Sequence, residues 1–239
     1  MAKIAFVSDV AYPWIKGGME SLHYAEMREL SRKHEVYCFS LQFEGMEKEF
    51  VKDRIHYVTV AKVHSKELYT PNGSRSIKLA RLFAGMIGKT LGKYDFDAIY
   101  VNSFPYLHLK TVKAYCKKHR CRLIMDVAEV WPKERWRAYL GSLKGSLAYS
   151  YSLASLKGAD AYVANSSATA IALERIGIPR SSITVFSPVL DMKLINSVPR
   201  RSRTHRVIYA GRLIKEKRLD LWIDAVARAH SLDSSITGL

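Results

Sequence analysis

Cysteine is scarce, with three residues, Cys38, Cys116 and Cys121, in a chain of 239. An odd number with no C-x-x-C spacing excludes a disulfide framework and a zinc ribbon, so the thiols are expected to be reduced and mostly buried. Long apolar runs are also missing. Nothing approaches the ~18 apolar residues that a membrane span needs, and the opening MAKIAFVSD is cut by Asp9 too early for a signal peptide. The expectation is therefore a cytoplasmic chain, with a peripheral place at the inner face of a membrane as the further option. Its eight histidines show no paired metal spacing, so no metal and no other cofactor is expected. Acidic residues are the last shortage: 22 Asp and Glu against 38 Lys and Arg leave a net charge of +16. That balance favours anionic partners, namely nucleic acid, anionic lipid or phosphorylated small molecules. Only the charge speaks for nucleic acid, since no RNP-like aromatic motif or zinc finger accompanies it, and a nucleic-acid partner is not expected.

What is present describes a soluble globular protein, 48% hydrophobic and 25% charged, long enough for one large domain or about one and a half ordinary ones. The run KIAFVSD reads as a buried parallel strand, followed by helical spacing from Met19 to Lys33 (Leu22, Ala25, Met27, Leu30) and by a second strand, VYCFSL. The alternation continues with IHYVTV, a helix over 74–91, DFDAIYVNS, a helix over 105–118, RLIMDV, a long helical region within 133–157, DAYVANS, a helix over 167–176, SITVFS and HRVIYAG. Strands alternating with helices predict an α/β fold, a doubly wound and mostly parallel sheet with helices on both faces. The Ser-, Pro- and Arg-rich stretch SVPRRSRTHR is the best linker candidate. The predicted division is a first domain over 1–196, a linker over 197–205, and the start of a second Rossmann-like domain over 206–239, with room for about one strand and one helix.

Gly17 and Gly18 stand where the first strand hands over to the first helix. A helix N-terminus offers unpaired N–H groups to phosphate, and glycine lets the backbone itself approach an anion; a plain turn built on two permissive residues is the alternative. No G-x-G-x-x-G occurs at this turn, which weighs against a dehydrogenase. FAGMIGKTLG imitates the end of a Walker A loop but puts Phe83 where its first glycine belongs, and it reads as helix. On that helical pattern Arg75, Lys78, Arg81, Lys89 and Lys93 accompany Ile77, Leu82, Phe83, Met86 and Ile87, either as a basic amphipathic face for anionic lipid or as the outside of an ordinary packed helix. In DVAEVWPKERWRAY, at another strand end, Glu129, Trp131, Lys133, Glu134 and Arg135 suit a sugar or phosphate acceptor; alternatively Pro132 starts a helix and Trp131 caps the core. Asn102 and Ser103 share the strand-end location. Near the C-terminus Arg212 and Lys217 flank a glycine turn ahead of an amphipathic helix, as a diphosphate site or as a solvated basic turn.

In order along the chain, YPWIKGGME, ADAYVANSSATAIALERIGIPRSSITVFSPVLD and VIYAGRLIKEKRLDLWIDAVA resemble the retaining glycosyltransferases of family 4. The resemblance implies a GT-B fold, two Rossmann-like domains with a cleft between them, the N-terminal one binding the acceptor and the C-terminal one a nucleotide-diphosphate sugar. It implies that Gly17, Gly18, Arg212 and Lys217 serve the donor diphosphate, with the cations stabilising the leaving group's charge. Glu20, Asn102, Ser103, Glu129, Trp131, Lys133 and Arg135 fall on the acceptor side, with a glycan or lipid-linked acceptor as partner. Ala128 and Glu129 stand where members often show His-Asp, and Pro188-Val189-Leu190-Asp191 where they show Asn-Gly-Val-Asp. The family's two glutamates eight residues apart find no counterpart before Leu239. The expectation is a chain inactive by itself, served by a separately encoded C-terminal domain or incomplete; a non-catalytic module binding a membrane surface or an acceptor is the competing class.

Overall fold

The structure, a computed structural model, describes residues 1–71, 73–186, 192–199, 205–211, 213 and 217–238, without the side chains of 192–194. It divides into two compact units, Met1–Val189 and Leu190–Leu239.

The first unit is built on one eight-stranded sheet of order β3-β4-β2-β1-β5-β6-β7-β8. Its strands are β1 (Lys3–Val7), β2 (Glu35–Gln42), β3 (Glu49–Lys52), β4 (Ile55–Lys62), β5 (Ala98–Asn102), β6 (Arg122–Val127), β7 (Ala161–Ala164) and β8 (Ile183–Val185). All pairings are parallel except β3 on β4, which is antiparallel. The mostly parallel α/β fold expected from the sequence is thus the observed one. The edge strand β3 was not foreseen, because EFVK is short, largely exposed and without a clear apolar alternation.

Connecting helices are α1 (Gly18–Leu30), α2 (Ile77–Leu91), α3 (Leu109–His119), α4 (Lys133–Leu140), α5 (Ser142–Leu156) and α6 (Ser167–Arg175). Ser76 and Ser166 cap α2 and α6 by accepting from the Leu79 and Thr169 amides. The helical region expected within 133–157 is two helices rather than one. Gly141 breaks it with a positive φ of 83°, and Gly145 then lets α5 press on α4, since a Cβ there would lie 2.4 Å from the Trp136 carbonyl oxygen.

Strand alternation feeds two cores. Ala5, Val7, Tyr37, Phe39 and Leu41 join Phe83, Ile87, Leu91 and Val112 in the larger one. Phe6, Val36 and Cys38 point the other way and meet Met27 of α1 in the smaller one. Burial on both faces is why these strands read as continuous apolar runs.

The second unit contains α7 (Met192–Ser197), β9 (Arg206–Val207), α8 (Leu219–Leu232) and β10 (Thr237–Gly238), with β9 and β10 paired in parallel. Trp222 and Val226 of α8 pack over Gly238, yet α8 buries none of its residues, and Leu221 and Ile223 are exposed.

Candidate functional site

Parallel strands β1, β5, β6, β7 and β8 all end at one edge of the sheet, the edge where open α/β sheets bind ligands. Helix α1 starts there. Gly17 is its N-cap with extended backbone, and no side chain caps the first amides. A Cβ on Gly17 would lie 2.2 Å from Oε2 of Glu20, whose carboxylate folds back over the helix start. A Cβ on Gly18 would meet nothing within 4 Å. Of the two glycines, Gly17 makes room for a neighbouring carboxylate, and a side chain at Gly18 would stand in open space.

Glu20 and Asn102 come together. With His23, Tyr100, Phe6 and Ser8 they line a pocket of about 10 Å³, room for roughly one water molecule, between α1 and the ends of β1 and β5. The Asn102 side-chain oxygen accepts from the Phe104 amide at 3.2 Å, and its carbonyl accepts from Nε2 of His108 at 2.9 Å. Ser103 lies behind this rim, buried, its amide donating to the Asp126 carbonyl at 2.9 Å.

The motif around Trp131 forms a second cluster on the same edge. Arg135 donates to Glu129 at 2.7 Å and stacks over the Trp131 ring, 4.2 Å from its centroid. Trp131 is half-buried against Trp136, Tyr139 and Phe104. It packs on the core with one part, and the Arg135 guanidinium lies over its ring. Lys133 opens α4, exposed, as does Glu134. Arg212 lies outside the described residues, as does the stretch 188–191. Lys217 is exposed in the second unit, just ahead of α8, where Arg218 takes the N-cap in a left-handed conformation and pairs with Asp220.

Four titratable groups at this edge were not singled out from the sequence. His23 reaches from α1 to Asp126 at the end of β6, Nε2 to Oδ2 2.6 Å, and both are buried. Burial alone would lower the His23 pKa; the hydrogen bond and charge of Asp126, with the charges of Glu26 and Glu20, overcome it and raise the value. Asp9, buried just past β1, pairs with Arg75. His108 is held neutral chiefly by its burial. The signals were present: Asp9 ends the first strand, and His23 stands four residues before Met27 on the buried face of α1.

The helix proposed as a lipid face is divided. Phe83 and Ile87 are wholly buried, and Arg75 is drawn inward to Asp9 while its amide donates to the Tyr139 hydroxyl at 2.7 Å. These three leave the amphipathic face because the sheet needs a covering layer and Asp9 needs a counter-ion. Ile77, Leu82 and Met86 remain exposed beside Lys78, Arg81 and Lys89. Among the described residues no group of three or more His, Cys, Asp and Glu side chains is placed to hold a metal, and no helix is long and apolar enough to cross a membrane.

A parallel α/β sheet with an open helix start and an aromatic, charged rim at its carboxyl edge is the architecture of a Rossmann-like binding domain. The sequence profile of Glycosyltransferase Family 4 matches residues 16–194, and the chain belongs to that family. No curated protein matches by sequence. Solved structures match in fold. Sucrose-phosphate synthase from Thermosynechococcus elongatus is 12% identical with a TM-score of 0.64, over 100% of this chain and 70% of that one. HepE of Anabaena in complex with UDP and glucose is 16% identical with a TM-score of 0.59, over 100% of this chain and 60% of that one. The lipopolysaccharide outer core galactosyltransferase WaaB is 21% identical with a TM-score of 0.55, over 95% of this chain and 57% of that one. The chain thus spans 57–70% of the length of these three, and the GT-B likeness expected from the sequence is present.

Proposed function

We propose that this chain is the acceptor-side part of a retaining transferase that moves a sugar from a nucleotide-diphosphate donor onto a lipid-linked or polysaccharide acceptor. The observation that carries this reading is the carboxyl edge of the sheet, which bears the start of α1 with Glu20 and Asn102 beside it and the Glu129, Trp131 and Arg135 cluster. The Gly17 and Gly18 amides take phosphate oxygens; Arg212 and Lys217 keep the diphosphate role that the family resemblance implies for them. Glu20, Asn102, Glu129, Trp131, Lys133 and Arg135 meet the acceptor, the indole by stacking and the charged groups by hydrogen bonds. The family match and the UDP complex of HepE support a nucleotide-sugar donor.

We infer that transfer by this chain depends on a donor domain that covers α8. The exposed apolar side of α8 and the two-residue strands beside it support this, since a nucleotide-sugar domain buries such a helix under a full sheet. The test is transfer from a panel of UDP- and GDP-sugars, by the chain alone and by the chain completed with a donor domain. Silence from the first and turnover by the second are expected. Turnover by the chain alone overturns the dependence on further polypeptide, and silence from both overturns the transferase reading.

The α2 surface favours a second role beside this one, a peripheral seat on anionic lipid. Exposed Ile77, Leu82 and Met86 flanked by Lys78, Arg81 and Lys89 support it. Binding to phosphatidylserine vesicles at low salt that fades at moderate salt is expected, and no binding at low salt removes the idea.

A further inference from the structure

At the opposite, amino-terminal edge of the sheet, where α3 hands over to β6, lies an open cleft of about 790 Å³. Two of the three free thiols line it, Cys116 and Cys121, with their sulfurs 2.9 Å apart. Backbone geometry brings them together. Arg120 takes the left-handed conformation, φ 56° and ψ 31°, and its amide donates to the Cys116 carbonyl; the Cys121 amide donates to the same oxygen at 3.2 Å. This helix ending folds the sixth residue back beside the first, which is why cysteines five apart in sequence become neighbours. The charged part of the lining is mostly basic: Lys113, Lys117, Arg120 and Arg122, against one acid, Asp160, which already accepts from the Leu123 amide at 2.7 Å.

The two thiols differ. The sulfur–sulfur contact with Cys116 lowers the Cys121 pKa, ahead of the opposing effect of burial, and the Cys121 amide helps. The Cys116 thiol is pushed up by the same contact and by burial. Cys38, in the smaller core with no sulfur partner, is pushed up to about 12 by burial. Cations around a thiolate and a route from solvent are what separate a reactive cysteine from an inert one.

We propose that Cys116 and Cys121 are a reversible redox pair that hydroperoxides oxidise to an intramolecular disulfide. The Cys121 thiolate attacks one peroxide oxygen, the O–O bond breaks, and the departing alkoxide or hydroxide takes a proton to leave as alcohol or water. Cys121 is then a sulfenic acid. The Cys116 sulfur attacks it, gives up its proton, and expels the hydroxyl group as water. Two thiols have lost two electrons, and one hydroperoxide has been reduced to an alcohol and water. An external dithiol reverses the bond by exchange.

The test treats the native chain with about one equivalent of hydrogen peroxide, denatures it in an alkylating agent and measures intact mass. The oxidised chain should carry one alkyl adduct where the reduced one carries three, a difference that dithiothreitol abolishes. After trypsin, the peptide Ala114–Lys117 should be found joined to Cys121–Arg122. In Cys116→Ser and in Cys121→Ser the reaction should stop at a sulfenic acid on the remaining thiol, which dimedone traps, and no intramolecular disulfide should form. Three adducts after peroxide or a linkage through Cys38 overturns the proposal.

Discussion

Replacing Glu26 by Gln should stabilise the protein at pH 8 and change little at pH 5. Glu26 lies on α1 one turn from His23, half-buried, with its Oε2 unpartnered and out of solvent. Burial pushes its carboxyl from 4.5 up to about 7; the His23 charge opposes this and Asp126 adds to it. A carboxyl whose folded pKa is raised favours the fold below its unfolded value, near 4.5, and loses that contribution as pH rises to about 7. Above that range the unfolded chain is freely ionised, while the folded one must keep a charge in a poor solvent. At ~1.4 kcal/mol per pH unit the displacement sets an upper figure of ~3 kcal/mol, and screening of a half-exposed group brings it to ~1–2 kcal/mol. Glutamine keeps the shape without the charge. Melting followed by circular dichroism should show Tm rising by ~2–8 °C at pH 8. An equal shift at both pH values, or a loss at pH 8, would refute the reasoning.

The partner groups give further outcomes. Truncating His23 to alanine should destabilise by ~3–5 kcal/mol at pH 6, because it leaves Asp126 buried and alone. His23 has a raised pKa, so its contribution is full below ~6.5 and fades as pH rises through the folded value; urea melts at pH 9 should show a smaller gap, and a larger one would contradict the charge pairing. Arg75→Leu should be much more harmful in the wild-type background than beside Asp9→Asn, with a coupling of ~1–3 kcal/mol in a double-mutant cycle. Additive effects there would mean that the pair is only packing. Phe83→Ala should lower stability by ~3–5 kcal/mol and Leu82→Ala by under ~0.5 kcal/mol, measured by denaturant unfolding; similar values for the two would deny the orientation of α2.

Much of the fold was legible because both faces of the sheet are covered. That produces continuous apolar strands such as Ile4 to Val7 and helices with clear periodicity, as in α2. The turn at Gly17 and Gly18, the strand end at Asn102 and the Trp131 motif were visible too, because strand-to-helix changes mark the carboxyl edge. Charge partners were not legible. His23 meets Asp126 across 103 positions and Arg75 meets Asp9 across 66. Sequence spacing carries no information about such pairs, which arise only when crossovers bring the His23 side chain of α1 to the end of β6 and the segment before α2 to the end of β1.

The sequence by itself determined the alternation of strands and helices, the parallel sheet, the edge that bears the candidate site and the family, since all of these rest on local periodicity and short motifs. Tertiary structure alone decided which polar residues became buried pairs, which cations on α2 stayed in water, and that Cys116 and Cys121 touch. Those outcomes depend on distances between residues remote in the chain, or on one left-handed residue at a helix end, and the polypeptide fixes them only when its layers close on one another.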